Sequence, residues 1–240
     1  RDQPRSRGLG DVYKRQIDDS VEKIAYAAST GGADFSTDES NEMIQCLQRF
    51  KNISVRESAS KEALNQRLKE KNIEIVLDPV FLTTKSNWLR LAAKPVKKDY
   101  ILFFKMGYSK TAEPALEFAK KLSEETGYEL LMLWDQETWF KYRDVKHIGA
   151  AGPAEFLQWI AGAKCVVTNS FHATAFSIIL NTPFYVETEI ERKDRVLNIL
   201  NIFKLEKCGL VKGKSANGLN IPKIEWNVVN LLLDCLLYTS

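Results

Sequence analysis

Cysteine is scarce in this sequence, and the cysteines that occur lie far apart. The four are Cys46, Cys165, Cys208 and Cys235, and no two of them form a Cys-x-x-Cys pair. This spacing argues against a disulfide framework and against a zinc framework, and it fits a reducing compartment. We therefore expect a cytoplasmic protein that holds no metal ion.

The sequence also lacks a strong excess of one charge and lacks long hydrophobic runs. It contains 34 lysines and arginines against 31 aspartates and glutamates, which gives a net charge of +3. That excess is too weak to indicate a nucleic-acid partner. No apolar run is long enough to span a bilayer, and no stretch has the pattern of a secretory signal peptide. We expect neither nucleic-acid binding nor a transmembrane segment.

What is present is the composition of a globular protein, with 45% hydrophobic and 27% charged residues among 240. This length suits two small α/β domains or one large domain. Short apolar runs alternate with stretches of helical period, which predicts parallel sheets with right-handed crossovers. The predicted strands are 23–27, 53–55, 73–77, 100–104, 129–134, 165–168 and 184–186. The predicted helices are 38–50, 61–71, 111–126, 171–180, 191–203 and 224–237, with another that begins at 152–153.

Several stretches fall outside this alternation. Residues 1–16 are basic and without periodicity, and we expect them to be a non-native or disordered extension. Residues 83–99 look like a crossing segment that contains the solvated charge run KPVKK. Residues 135–151 and 211–220 are predicted to be loops.

The stretch from 165 to 186 reads as strand, turn, helix, turn and strand. Asn169 and Ser170 are residue types that cap helices, so the helix should begin there. His172 falls in its first turn, just past the carboxyl end of a strand, where free backbone N–H groups and the helix dipole favour an anion. A histidine there can donate to a phosphate or move a proton near neutral pH. A packed core histidine is the alternative, and it stays equally open.

The same stretch resembles a known family. Residues 166–173, VVTNSFHA, are similar to the VVTNSFHG hallmark of the polysaccharide pyruvyl transferases, with Ala173 where the family usually has glycine. Further landmarks resemble the family in the same order along about residues 23–205. They are AYAAST at 25–30, SVRES at 54–58, VLDPVFL at 76–82, Trp88 and GPAEFL at 152–157.

This resemblance implies two Rossmann-like parallel-sheet domains of the GT-B-like class, facing each other across a cleft. Residues 17–90 would then be a partial N-terminal domain, truncated because elements that normally precede it in the family are missing. Residues 91–235 would be the C-terminal domain, which carries the SFHA site.

The resemblance also implies a reaction in bacterial surface polysaccharide biosynthesis. The pyruvyl group of phosphoenolpyruvate would move to two hydroxyls of a saccharide or lipid-linked glycan, forming a cyclic ketal. The reaction protonates the enol methylene, stabilises an oxocarbenium ion at C2, activates a hydroxyl and releases phosphate. It needs a general acid, a base and cationic donors for the negative charges. The scheme requires no metal and no redox cofactor.

Candidate site residues of the second domain surround the predicted helix start. His172 is the candidate acid, or a donor to the phosphate. Further donors beside the helix come from Thr168, Asn169 and Ser170. Ala173 adds a methyl group next to the proposed anion site, so we expect glycine in its place to tighten anion binding. Arg195 can bind phosphate, although a helix-surface arginine is the default.

Candidates in the first domain follow its predicted strands. Arg56 can reach across the cleft to a carboxylate or phosphate, a bidentate task that suits arginine, and its alternative is a surface ion pair. Glu57 is the candidate base, and its alternative is a helix-capping carboxylate. Asp78, which precedes a proline, is most often a turn residue and only secondarily a ligand contact.

Other function classes stay open. A serine hydrolase would use Ser170 on a strand-to-helix elbow, but the Gly-x-Ser-x-Gly pattern is absent and His172 is very close along the chain. A non-catalytic saccharide-binding module is a second class, for which Ala173 is the hint. A glycosyltransferase that uses a nucleotide sugar would share the two-domain architecture, so fold alone cannot separate it. Nothing in the sequence indicates an oligomeric state.

Overall fold

The chain divides into two units, Arg1–Asp78 and Pro79–Ser240. The computed structural model describes residues 18, 20–30, 35, 40–94, 99–106, 112–133, 142, 144–149, 151–189, 193–215 and 218–239. The predicted extension at residues 1–16 lies outside them. Each unit is an α/β unit with a parallel or largely parallel sheet, as the alternation of strands and helices predicts.

The first unit contains a three-stranded parallel sheet in the order β1-β2-β3. Its strands are β1 Ile24–Ala28, β2 Asn52–Val55 and β3 Ile73–Ile75, and its helices are α1 Asn41–Gln48 and α2 Ser58–Asn65. Because the strands are parallel, their carboxyl ends meet at one edge of the sheet. Residues that directly follow the three strands are therefore neighbours in space.

One face of this sheet carries the apolar core of the first unit. Ile53 and Val55 of β2 and Ile73 of β3 belong to one buried cluster with Leu64 and Leu68, and each of the five is at most 3% exposed. Burying a side chain of this size stabilises the fold by about 1.5–3 kcal/mol. This packing holds α2 against the strands and fixes the position of its first turn.

The second unit contains a seven-stranded sheet in the order β10-β9-β8-β7-β4-β5-β6, parallel except for the β9–β10 hairpin. Its strands are β4 Tyr100–Phe104, β5 Glu129–Leu133, β6 Lys146–Ile148, β7 Cys165–Thr168, β8 Phe184–Glu187, β9 Gly209–Val211 and β10 Lys214–Ser215. Its α-helices are α3 Lys85–Leu91, α4 Ala112–Thr126, α5 Pro153–Gly162, α6 Phe171–Leu180, α7 Lys193–Ile202 and α8 Trp226–Thr239. Short 3₁₀ helices lie at Pro79–Leu82 and Glu206–Cys208.

The strand order places a switch point between β4 and β7. From β4 the chain adds β5 and β6 on one side, returns to β7 on the other side, and continues outward through β8 and β9. In open α/β sheets, ligands bind in the crevice outside the carboxyl ends of the strands at such a point. The turn after β7, which leads into α6, lies at this position.

The β7 strand and the α6 helix form the buried centre of the second unit. All four residues of β7 are buried, and so are the α6 residues from Ala173 to Leu180. Burial on every side explains why neither segment has a polar face in the sequence. Although α6 is apolar, no helix in the described part of the chain is both long and apolar enough to cross a membrane.

The division between the units falls at residue 78, whereas the predicted domains meet at residue 90. The segment between these positions packs within the second unit. The ring of Trp88, on α3, lies edge-on to the ring of Phe176, on α6, with 5.0 Å between centroids. The Trp88 indole N–H also donates to the carbonyl of Val80 at 2.9 Å. These contacts attach residues 79–91 to the second unit.

Three short elements occur where the sequence predicts loops or a crossing segment. They are α3, the edge strand β6 and the β9–β10 hairpin. The β6 strand has three residues and β10 has two, too few for a periodic pattern to show. The hairpin turns through Lys212 and Gly213, both with positive φ, 48° and 69°. The prediction of a loop across 211–220 was therefore wrong for residues 211–215.

Candidate functional site

Thr168 and Ser170 shape the turn between β7 and α6. The Thr168 hydroxyl donates to the carbonyl of Phe104 at 2.6 Å and accepts the N–H of Ser170 at 2.9 Å. Ser170 is the N-cap of α6, and its Oγ accepts the N–H of Ala173 at 3.4 Å. A side-chain oxygen at this position satisfies a backbone N–H that the helix itself leaves free. Both hydroxyls hold the turn, and their donation to a ligand stays a prediction.

Asn169 joins β7 to the end of β4 across the switch point. Its Oδ1 accepts the N–H of Met106 at 2.7 Å, and its Nδ2 donates to the carbonyl of Met106 at 3.2 Å. The residue is 7% exposed. The side-chain amide thus pairs with the backbone of Met106 through one acceptor and one donor, as a neighbouring strand would. This pairing fixes the chain after β4 beside the start of α6.

His172, Phe171 and Arg195 lie together at the N-terminal end of α6. The Phe171 and His172 rings have centroids 5.4 Å apart and an interplanar angle of 81°. The guanidinium carbon of Arg195, on α7, lies 5.8 Å from the centroid of the Phe171 ring, within range of a cation–π contact. All three residues are half-buried. An arginine and a histidine thus share the end of the helix where the dipole favours an anion.

Ala173 is fully buried in the first turn of α6. Its exposed fraction is 0%, and its N–H is the group that Ser170 caps. Its carbonyl accepts the hydroxyl of Ser177 at 2.8 Å. Neither the methyl group nor the amide of Ala173 faces solvent. A role for Ala173 beside a bound anion stays a prediction, and this burial speaks against it.

Three charged residues gather at the carboxyl edge of the first unit. Arg56 and Glu57 directly follow β2, and Asp78 lies just past β3. The Arg56 guanidinium donates through Nη1 to Oδ2 of Asp78 in an ion pair. Its Nε lies 3.6 Å from Oε2 of Glu57. Asp78 is therefore more than a turn residue, because its carboxylate binds the arginine that follows the neighbouring strand.

Two serines fix the carboxylate of Glu57. The hydroxyls of Ser29, which follows β1, and Ser60, in α2, both donate to Oε1 of Glu57, the second at 3.1 Å. Thr30 joins this network, since its N–H donates to the Ser60 hydroxyl at 3.2 Å. Glu57 is the N-cap residue of α2, but its side chain makes no capping bond to the helix backbone. Its function as a base stays a prediction.

The structure brings the predicted site residues together in two groups, one in each unit. Those of the second unit are Thr168, Asn169, Ser170, His172, Ala173 and Arg195, and those of the first are Arg56 and Glu57. Sequence patterns alone did not predict that Ser29, Ser60 and the ion pair of Asp78 belong to this group. A signal for two of these was present, because Ser29 and Asp78 each follow one of three parallel strands, whose ends share an edge.

Glu187, at the carboxyl end of β8, is a further buried polar group, and no sequence pattern predicted it. It is 1% exposed, and its Oε1 accepts the N–H of Glu189 at 3.1 Å. Within the described residues its Oε2 makes no hydrogen bond of ordinary geometry, although the backbone N–H groups of Thr188 and Gly213 favour the charged carboxylate. Burial raises the pKa of this carboxyl above its ordinary value. Across the same described residues, no three His, Cys, Asp or Glu side chains converge as a metal site would require.

A family model matches most of the chain. The family described as polysaccharide pyruvyl transferase matches residues 9–188, a range that extends past β8 and includes both groups of candidate residues except Arg195. A comparison with curated proteins finds no match.

Solved structures are similar to this chain at low sequence identity. The UDP-GlcNAc 2-epimerase of Methanocaldococcus jannaschii has a TM-score of 0.56 at 12% identity, over 94% of this chain and 65% of that chain. The same epimerase in complex with UDP-GlcNAc and UDP has a TM-score of 0.49 at 16% identity, over 90% of this chain and 69% of that chain. The E. coli heptosyltransferase WaaC has a TM-score of 0.38 at 14% identity, over 79% of this chain and 60% of that chain. The first likeness confirms the predicted GT-B-like fold class, and in that first structure the chain spans less than two thirds of the epimerase's length.

Proposed function

The chain belongs to the polysaccharide pyruvyl transferase family, and we propose that it transfers the pyruvyl group of phosphoenolpyruvate to two hydroxyls of a saccharide. The products are a cyclic ketal and phosphate. The family match supports a transferase of polysaccharide biosynthesis as the broader class. We propose a saccharide or lipid-linked glycan as acceptor and the cytoplasm as the compartment. No step of this scheme uses a metal or a redox cofactor.

The observation that carries this proposal is that His172 and Arg195 each lie beside the Phe171 ring at the N-terminal end of α6. A donor with a phosphate and a carboxylate needs cationic partners, and the helix dipole adds to their attraction. His172 is half-buried, so it keeps access to solvent while its surroundings hold the ring. The β4–β7 switch point, where ligands bind in open α/β sheets, has the same position in the fold.

The proposed chemistry proceeds through protonation, addition and elimination. His172 protonates the methylene carbon of the enol, which leaves an oxocarbenium ion at C2. A saccharide hydroxyl adds to C2 as a base accepts its proton. The phosphate leaves, and a second hydroxyl adds to C2 and closes the ring. The protons of the two hydroxyls replace the one that His172 gave and protonate the phosphate. One phosphoenolpyruvate and one diol thus give one ketal and one phosphate, and general acid catalysis of this kind contributes about 10²–10⁴-fold.

The other candidates have supporting roles in this proposal. Arg195 stabilises the negative charges of the donor near α6. Thr168, Asn169 and Ser170 maintain the turn that presents the helix N-terminus. Arg56 donates to a carboxylate or phosphate of the substrate. Glu57 is the candidate base from the sequence, although its burial and its two serine partners suit a supporting carboxylate better.

A glycosyltransferase-like reaction is the competing proposal, because enzymes of different chemistry share this fold. The two reactions release different products. A pyruvyl transferase releases inorganic phosphate from phosphoenolpyruvate, whereas a glycosyltransferase releases a nucleotide from a nucleotide sugar. A non-catalytic saccharide-binding module would release neither. Product analysis therefore separates all three.

The test is a phosphate-release assay on the purified chain with phosphoenolpyruvate and a panel of glycosides. We expect release that depends on one class of glycoside, together with a new ketal carbon in the NMR spectrum of the product. Parallel reactions with nucleotide sugars should release no nucleotide. Nucleotide release without phosphate release would contradict the proposal, and so would glycoside binding without either product.

A further inference from the structure

The charged cluster of the first unit has one partly exposed member. The side chain of Arg56 is 19% exposed, whereas those of Asp78 and Glu57 are 3% and 6% exposed. The guanidinium contacts both carboxylates, through Nη1 to Asp78 and with Nε 3.6 Å from Oε2 of Glu57. The two carboxylates are therefore the buried part of the cluster, and the Arg56 side chain has the largest exposed fraction of the three.

Glu57 and Asp78 both lie on chain segments that are fixed beside the sheet. The hydroxyls of Ser29 and Ser60 bind Oε1 of Glu57. Asp78 follows β3 closely, and just before it the N–H of Val76 donates to the carbonyl of Val55 in β2 at 2.9 Å. An arginine side chain has several rotatable bonds, and ordering it opposes binding unless its partners have fixed it beforehand. The contacts of Arg56 with the carboxylates of Asp78 and Glu57 hold its side chain in one orientation before a ligand binds.

We propose that Asp78 is the positioning residue of Arg56, and that the guanidinium, held by Asp78 and Glu57, binds an anionic group of the substrate. A guanidinium has five N–H donors in a fixed fork, so an arginine bound to one carboxylate can also bind a second anion. The identity of that anion as the carboxylate or phosphate of phosphoenolpyruvate rests on the proposed function. In this arrangement Glu57 acts through Arg56 rather than as a base.

Positioning and simple charge predict opposite effects on binding. One guanidinium and two carboxylates sum to a charge of −1, so by Coulomb's law alone the loss of the Asp78 charge should strengthen anion binding. Loss of a positioning contact should weaken it, because the guanidinium no longer keeps one orientation. The direction of the change therefore separates the two explanations.

The experiment compares Asp78→Asn, Arg56→Ala and the double variant in the full chain. Asp144→Asn is the matched control, because it removes a carboxylate from an exposed pair in which Lys120 Nζ lies 2.8 Å from Oδ2. Titration calorimetry with phosphoenolpyruvate, and separately with inorganic phosphate, measures binding without turnover. We expect Asp78→Asn to weaken phosphoenolpyruvate binding by about 10- to 100-fold. The double variant should bind no more weakly than Arg56→Ala alone, because the two residues act as one unit.

A second substitution and melting curves keep the test decisive if Asp78→Asn folds poorly. Asp78→Glu keeps the charge but moves the guanidinium, so it should also weaken binding while Asp144→Asn binds as the wild type does. Unchanged or tighter binding in either Asp78 variant would overturn the inference. So would additive losses in the double variant, or a wild type that binds neither anion. A wild type that binds phosphoenolpyruvate but releases no phosphate with any acceptor overturns only the proposed function.

Discussion

Asn169 and Met106 form a two-bond bridge between the ends of two neighbouring parallel strands. The amide of Asn169 accepts the N–H of Met106 and donates to its carbonyl, at 2.7 and 3.2 Å. A side chain with both a donor and an acceptor is needed for this pattern, and asparagine has the right length and both groups. The bridge fixes the turn after β7 against the chain that leaves β4, which is where the proposed anion site begins.

Replacing Asn169 with aspartate should weaken this bridge. An ionised carboxylate accepts hydrogen bonds only, so the carbonyl of Met106 would lose its donor and face a negative charge. We expect a loss of about 0.5–1.5 kcal/mol in the free energy of unfolding, which is the usual net contribution of one hydrogen bond. Denaturant unfolding of Asn169→Asp measures it, with the exposed Asn227→Asp as control. Equal stability of the two variants would show that the bridge contributes little.

The two histidines of the chain allow a matched comparison of activity. His172→Ala should lower phosphate release by about 10²–10⁴-fold with an unchanged fold, because His172 is the proposed acid. His147→Ala should keep turnover, since His147 lies in β6, away from the β7–α6 turn, and its Nε2 contacts the carbonyl of Tyr142 at 2.8 Å. Initial rates and melting curves on both variants are the measurement. Near-normal turnover of His172→Ala would mean that this histidine is structural.

The sequence predicted the parts of the fold that local pattern controls. The apolar run from Cys165 to Thr168 and the cap at Ser170 gave β7 and the start of α6 at their observed positions. Hydrophobic period and capping are properties of neighbouring residues, so they can be read without the fold. The grouping of site residues at strand ends was also predictable in outline, because parallel strands share an edge.

Contacts between distant segments were not predictable in the same way. Arg56 and Asp78 are 22 residues apart, and Ser29 and Glu57 are 28 apart. Strand register decides which polar residues meet at an edge of the sheet. Here the register of β1 with β2 also shifts at a bulge near Ala27. Glu187 shows the same limit, since nothing in its local sequence indicates a carboxyl that is 1% exposed.

Glu187 should make stability depend on pH. Burial raises the pKa of Glu187 in the folded state above its ordinary value of about 4.3. At a pH between these two values, the folded state therefore binds more protons than the unfolded state. The free energy of unfolding therefore falls as pH rises through that interval. Glu187→Gln removes this dependence and keeps an oxygen that can accept the N–H of Glu189.

The variant should be more stable than the wild type at pH 7–8, and the gain should shrink as pH falls towards about 4. Denaturant unfolding across this range measures the difference, with the exposed Glu225→Gln as control. A gain that is the same at every pH would show that the titration of Glu187 is not its cause. A loss of stability at pH 7–8 would show that the ionised carboxylate is favourable where it lies.

Ala173→Gly tests whether residue 173 lines the anion site. Glycine is about 1 kcal/mol less favourable than alanine inside a helix. The lost methyl group is fully buried and contributes about 0.8 kcal/mol more. We expect the free energy of unfolding to fall by about 1–2 kcal/mol, towards the lower end because the residue lies in the first turn. Melting curves and denaturant titrations measure this loss, and Ala175→Gly, also fully buried in α6, is the control.

Binding of inorganic phosphate and phosphoenolpyruvate to the Ala173→Gly variant decides the functional question. The resemblance to the SFHG hallmark predicts tighter binding, because a glycine lets a ligand approach the backbone closely. The burial of the Ala173 methyl group and the capping of its N–H by Ser170 favour unchanged affinity instead. We therefore expect titration calorimetry to give affinities within about twofold of the wild type, a difference of only about 0.4 kcal/mol. A clear tightening would contradict this, and would mean that the anion reaches the first turn of α6 at residue 173.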